Sequence, residues 1–294
     1  MRSRRADRAW EFSDDRGHRA TGVRVPCRVV AYIRAGAALW EYGIRPVAVY
    51  GSAHDSGAAP DAAKTGELDP DRVPYLGAGR RVSAETLRAL RPDVIVDVTY
   101  DGKSPYALPE SLAEAVGAPV VALGVGGNAS LSGIMGRFGE LAAALGAGIG
   151  GAGRELEAAE RELREAVAGA PGLTAVALSA AGLEQVHLAH PATWPELQHL
   201  ADLGLSLADP GPGPGVNWLT TDWTHAATAL PAPALVLADC RTHAARPSTL
   251  AGQPAWQRFT AAATVLPWNP ELPPSPRACA RFLRTVTGAL RAER

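Results

Sequence analysis

The stretch Arg154–Ala168, reading RELEAAERELREAVA, constrains the fold most, because it runs without Gly or Pro in a chain that holds 31 Gly and 24 Pro. Glu157–Arg161 and Glu160–Arg164 stand at i,i+4 with the acid on the N-terminal side, the orientation that supports a helix. Leu156, Ala159, Leu163 and Val167 draw a narrow apolar stripe at helical spacing. Gly153 precedes the run and Gly169-Ala170-Pro171-Gly172 ends it. At about 1.5 Å per residue the helix spans roughly 22 Å. Its heavy charge and thin stripe predict a strut lying on the surface between two lobes rather than a core helix. The alternative is an ordinary surface helix of one domain, and the flanking sequence decides between them.

The 294 residues suffice for two domains that each bury a core. A net charge of −1 gives no electrostatic footprint for nucleic acid. Lys64 and Lys103 are the only lysines, so Arg carries the positive charge, which reads as a bias of composition. Cys27, Cys240 and Cys279 are scattered and predict neither a disulfide framework nor a zinc cluster. Residues 1–26 begin with arginines but lead into no apolar core of a signal peptide, and are expected to form a disordered tail. No run approaches the ~18 apolar residues of a membrane span, so no membrane insertion is expected and the chain as written reads as cytoplasmic.

Before the strut, apolar runs at residues 28–33, 46–50, 94–98 and 119–123 predict buried strands. They alternate with predicted helices at 35–42, 83–90 (Ser83 as N-cap), 108–116 and 131–145. Continuously apolar strands alternating with helices predict parallel sheets covered on both faces. After the strut the pattern restarts, with strands at 173–178 and 234–238 and helices at 193–203 and 275–290. Residues 209–218 (DPGPGPGVNW) are too rich in Pro and Gly for regular structure. The expected organisation is a tail (1–26), an N-terminal α/β lobe (27–150), an interdomain helix (151–171) and a C-terminal α/β lobe (172–294).

Four stretches carry a resemblance to a known family. YGIRPVAVY (42–50) is similar to its "LGv-x-PvgvY" turn into the second strand, and SAETLRALRPDVIV (83–96) to its "n-x-E-x-l-x-x-L-x-PDlIv". LAAALG (141–146), followed by the strut, resembles "LaeaLG", and Pro254-Ala255-Trp256 through Leu290 resembles the C-terminal "p-x-W-x-x-l-x-Av" with its last helix. The chain thereby resembles the substrate-binding proteins of iron–siderophore, haem and vitamin B12 ABC importers, the helical-backbone (class III) type. The resemblance implies two Rossmann-like lobes with parallel sheets, joined by one long helix and facing a cleft. It also implies capture of a metal chelate without chemistry, no intrinsic cofactor, a monomer, and an ABC permease as partner. One carboxylate per lobe docks onto the permease in that family: Glu85 matches the first, and Asp222 stands near the second, where the family has Glu. The family works outside the cytoplasmic membrane, so the resemblance and the missing export signal point apart. The other reading is a cytoplasmic relative of the same fold that sequesters or modifies a small molecule or metallophore in a biosynthetic pathway.

The loops at the carboxyl ends of the predicted strands, where open α/β sheets bind ligands, hold the candidate contacts. These are Tyr32, Arg34, Tyr50, His54, Tyr100, Lys103 and Asn128 in the first lobe, and Trp194, Trp218, Trp223 and Arg241 in the second. A ferric siderophore is bulky and oxygen-rich with an apolar rim. Arg forks onto anionic oxygens, and Trp and Tyr supply flat area with a polar handle. Arg34 and Arg241 are the first choices, although Arg34 could instead cap its helix or pair with Glu41, and Arg241 could pair with Asp239. At least one of Trp218 and Trp223 is expected in the core. His54 with Asp55, and His187 with His190, could supply ligands for direct metal binding, whereas His18, His199, His225 and His243 show no ligand spacing; a satisfied surface or core histidine is the commoner case, so no metal site is expected. No GxSxG, P-loop or Cys–His pairing is present, and GVGGNAS (124–130) lacks GxGxxG in register, so no enzyme is expected.

Overall fold

Short runs of Val, Ile and Ala bounded by Pro and Gly form the strands of the computed structural model, which describes residues 9–55, 57–127, 129–148 and 152–292. The chain folds as two compact units, one of Met1–Gly151 with Glu271–Ser275, the other of Ala152–Pro270 with Pro276–Arg294.

The N-terminal unit contains β1 (Trp10–Ser13), β2 (Arg19–Gly22), β3 (Val29–Tyr32), α1 (Ile33–Glu41), β4 (Ala48–Gly51), α2 (Ala62–Thr65), β5 (Tyr75–Ala78), α3 (Ala84–Leu90), β6 (Val94–Thr99), α4 (Glu110–Val116), β7 (Val120–Gly124) and α5 (Leu131–Ala144). Five strands make one parallel sheet in the order β5-β4-β3-β6-β7. β3, β4 and β6 are buried throughout, as continuously apolar parallel strands require. Ser83 caps α3 by accepting from the Thr86 N–H, as its position predicts.

Residues 10–22 depart from the expected disordered tail and form the antiparallel hairpin β1–β2. Trp10, Phe12 and Ala20 alternate inward and join the core of the unit. The charges between them satisfy one another and the sheet edge. Buried Asp14 accepts from the Ala122 N–H at 3.1 Å and pairs with Arg16, which reaches Glu110 at 2.7 Å. Asp15 accepts from the Gly124 N–H at 2.7 Å and donates its own N–H to the Ala122 carbonyl. The turn therefore covers the open edge of β7. Two four-residue alternations are too short to outweigh so many charges in a reading of composition.

The C-terminal unit contains α6 (Ala152–Ala168), β8 (Thr174–Ala180), β9 (Gln185–Ala189), α7 (Pro195–Asp202), β10 (Ser206–Leu207), β11 (Trp218–Asp222), α8 (Trp223–Ala229), β12 (Leu235–Asp239), α9 (Pro247–Leu250), α10 (Pro254–Thr260), β13 (Thr264–Trp268) and α11 (Pro276–Ala292). Its sheet runs β11-β9-β8-β12-β13. The core strands β8, β12 and β13 are parallel, β9 turns back antiparallel on β8, β11 on β9, and β10 adds a short parallel pair to β8. The charged run forms α6, which packs side by side with α11. Ala159 and Leu163 of the stripe are buried, while Arg284 of α11 reaches Glu155 at 2.9 Å. Ser275, the residue before α11, donates its hydroxyl to Glu41 at 2.6 Å.

Candidate functional site

In the N-terminal unit the strand order reverses between β3 and β6, and such a switch point opens a crevice at the carboxyl ends of the two strands. The residues that follow them meet there. Arg34 enters from the start of α1 and Tyr100 from the residue after β6, and the Arg34 guanidinium donates to the Tyr100 hydroxyl at 3.0 Å. The other face of the guanidinium donates through Nε to the Leu272 carbonyl at 3.0 Å. Tyr106 packs edge-on against Tyr100, with ring centres 4.8 Å apart. Thr99 and Asp101 fix the turn that carries Tyr100. Asp101 accepts from the N–H groups of Lys103 and Ser104 and from the Thr99 hydroxyl, which hold its carboxyl down at a pKa of about 2.

Not every tyrosine of this end reaches the surface. Tyr32 is fully buried and its hydroxyl donates to Glu271. Tyr50 is fully buried and donates to Asp97 at 3.0 Å. Burial raises the pKa of both phenols well above the usual value, and it lifts Asp97 to about 6 against hydrogen bonds from Leu108 and Val98. Tyr32 and Tyr50 thus brace the sheet from within rather than meeting a ligand, because each ends or nearly ends a strand with its ring turned into the core. His54 and Lys103 lie exposed on loops, the His54 N–H held by the Ser52 hydroxyl. Asn128 falls outside the described residues. Glu85 is exposed in the first turn of α3.

Sequence reasoning missed a buried ionic cluster beside this site. Lys64, with no exposed surface, lies 2.8 Å from Asp55 and 2.6 Å from Glu271. Asp55 also accepts from the N–H and hydroxyl of Ser52. Gly51 makes room for it, since a Cβ there would sit 2.3 Å from the Tyr75 hydroxyl and 2.7 Å from Asp55. One of only two lysines in an arginine-rich chain was the available signal, but its partner Glu271 is too distant in sequence to pair by pattern.

In the C-terminal unit, strand register sets a polar row on one face of the sheet. Ser179 stands opposite His187, and His187 opposite Thr220. His187 Nδ1 lies 2.8 Å from the Thr220 hydroxyl, and Ser179 donates to Asp239 at 2.7 Å. Partial burial lowers the His187 pKa, against a smaller opposing pull from Asp239. Arg241 donates to buried Asp239 from its backbone N–H and from its guanidinium, at 2.8 to 3.2 Å. The structural role open to Arg241 in the sequence is therefore realised. Beside this row Trp194, Trp218 and Trp268 cluster with ring centres 4.9 to 5.7 Å apart. Trp194 donates its indole N–H to the Asn217 carbonyl and Trp268 to Glu196, so the cluster is anchored at two of its three rings. Trp218 is the least buried of the three. Trp268, absent from the sequence reading, ends a parallel strand, the position that singled out Arg241.

Trp223 is the core member of its pair. It is 1 % exposed, packs edge-on against Trp256 at 5.2 Å, and donates to the Gly182 carbonyl, because it opens α8 on the face that closes the core. Asp222 is exposed and caps α8, accepting from the His225 N–H at 2.8 Å. His190 lies 3.4 Å from Asp209, away from the His187–Thr220 pair, and among the described residues no three His, Cys, Asp or Glu side chains converge as metal ligands. A pocket of about 1050 Å³, lined in part by Trp10, Val29, Ile44 and Leu145, opens at the amino end of β3, far from the polar and aromatic groups described above.

A family model described as periplasmic binding protein matches residues 41–265. Among solved structures, the chain is similar to DesE, a ferric-siderophore receptor protein from Streptomyces coelicolor, at 25 % identity and a TM-score of 0.83, over 96 % of this chain and 97 % of that one. The Vibrio cholerae siderophore-binding protein FhuD, solved with Fe3+-Desferal, shares the fold at 22 % identity and a TM-score of 0.61, covering 90 % and 98 % of the two chains. A periplasmic heme-binding protein from Pseudomonas aeruginosa does so at 17 % identity and 0.62, covering 90 % and 92 %. No curated protein sequence matches the chain.

Proposed function

Because the chain belongs to the periplasmic binding protein family, a family of binding proteins rather than enzymes, we propose that it captures a ferric-siderophore-type chelate outside the cytoplasmic membrane and hands it to an ABC permease. The observation that carries the reading is that each unit sets a polar tip and aromatic surface at the carboxyl-end side of its sheet. Tyr100 with Tyr106 does so in the N-terminal unit, and Trp218 with its two partner indoles and His187 in the C-terminal unit. Flat aromatic area with hydrogen-bonding edges suits a compact, oxygen-rich chelate with an apolar rim. The 25 % identity to a ferric-siderophore receptor along nearly the whole chain supports the same ligand class. Among the described residues no helix is long and apolar enough to cross a membrane. Glu85 and Asp222, both exposed, are the carboxylates proposed to meet the permease, Asp222 with one oxygen already engaged as a helix cap.

Native mass spectrometry tests the reading. The protein is offered a ferric trihydroxamate, a ferric tris-catecholate, haem and cobalamin, each beside its metal-free form where one exists. Retention of one ferric chelate at a ratio of one per chain, with weaker retention of its iron-free form, is the expected result. Retention of none, or equal retention of the iron-free form, contradicts it.

A further inference from the structure

Arg34 breaks a local rule. It is a cation in the first turn of α1, where the helix dipole opposes positive charge, and it is only 3 % exposed, where desolvation opposes it again. Such a violation at a strand-order switch marks a functional demand rather than a stabilising one. The geometry shows what the demand is. A guanidinium can only donate, so the Tyr100 oxygen accepts from Arg34 and its own proton is directed away from Arg34. Three further contacts hold the ring. Tyr106 meets it edge-on, the Asp101 turn fixes its backbone, and Gly126 lies beneath it, where a Cβ would stand 3.1 Å from Tyr100 Cδ1. Tyr100 itself is 39 % exposed, against the burial of the arginine beneath it.

We propose that Tyr100 is a preorganised hydrogen-bond donor to an oxygen of the bound chelate, and that Arg34 and Gly126 are positioning residues that aim it rather than contacts of the ligand. The inference rests on the chelate-binding reading and assigns roles within that site. A donor whose direction is fixed before binding loses little freedom on capture. It also discriminates by what faces it, favouring hydroxamate, carboxylate or catecholate oxygens over an apolar rim.

A double-mutant cycle on binding tests it, read by titration calorimetry with ferrioxamine B, ferric enterobactin, haem and cobalamin. The unmodified protein saturates with one of these. For that probe Tyr100→Phe weakens binding by about tenfold, the range of one charge-supported hydrogen bond. Arg34→Met weakens it similarly alone but less than about twofold in the Tyr100→Phe background, since its effect passes through the lost hydroxyl. Gly126→Ala, which removes no charge, gives a several-fold loss with an unchanged melting temperature, and this loss also vanishes in the Tyr100→Phe background. It keeps the test open should Arg34→Met fail to fold. Losses that add in full, or an unaltered Tyr100→Phe, overturn the proposal while leaving the function in place. An unmodified protein that binds no probe overturns the function and the proposal together.

Discussion

The carboxyl ends of the two sheets are built from opposite materials. In the N-terminal unit the carboxyl end of the sheet is organised by buried charge: Lys64 between Asp55 and Glu271, and Arg34 between a carbonyl and a phenol. In the C-terminal unit buried Asp239 is held by Arg241 and Ser179, and the surface beside it is three indoles and a histidine. Ionic groups in a low-dielectric interior hold a position sharply but tolerate no loss of a partner. Indoles packed at a tilt or edge-on supply area and tolerate small shifts. Under the proposed function the first unit would aim a donor and the second receive an apolar rim.

The contrast predicts unequal responses to substitution. The largest belongs to Lys64→Met, which leaves two buried carboxylates without their cation and lowers the unfolding free energy by about 3–5 kcal/mol. Urea unfolding reads this directly, and a loss below ~1 kcal/mol means the cluster is hydrated rather than buried. Arg241→Met follows, at about 2 kcal/mol, with much of the deficit restored by adding Asp239→Asn, because the neutral amide no longer needs the guanidinium. No recovery in the double variant would show that Arg241 acts through something other than Asp239. Trp218→Ala reverses the pattern, leaving stability within ~1 kcal/mol but weakening chelate binding by about tenfold, as expected of a half-buried aromatic anchor.

The smallest effect is the pH dependence of His187. Its folded pKa lies below its unfolded value because burial disfavours the imidazolium. The unfolded chain thus binds more protons in that window, and stability rises with pH. The contribution is complete above pH ~6.5 and fades as pH falls toward the folded value. His187→Gln flattens the unfolding profile between pH 5 and 7 (about two units around the free imidazole value), and an unchanged slope assigns that dependence elsewhere.

How much of this was legible in the sequence follows the range of each signal. Apolar runs such as VVAY and VIVDV are local and gave β3 and β6 within a residue or two. β11 and β9 form an antiparallel pair with one half-exposed face, so their sequences read as loop. The hairpin at 10–22 was hidden by charges whose partners, Glu110 and Arg137, lie far along the chain. Among the candidate residues, the rule that ligands gather after strand ends selected Tyr100, which follows β6, and Trp218, which opens β11. It could not tell them from Tyr32 and Tyr50, whose rings turn inward, because one residue of pleat decides the face. Glu271 was invisible for a topological reason. The chain leaves the C-terminal unit after β13, contributes residues 271–275 to the N-terminal unit, and returns at α11.

The central claim is tested most directly by a tryptophan-fluorescence titration of the unmodified protein with a ferric trihydroxamate, a ferric tris-catecholate and their iron-free forms. Saturable quenching by one ferric chelate, much reduced by Trp218→Phe and weaker with its iron-free form, is the predicted result. Fluorescence unmoved by every ferric chelate, under conditions where the protein is folded, contradicts the assignment of these indoles to ligand capture.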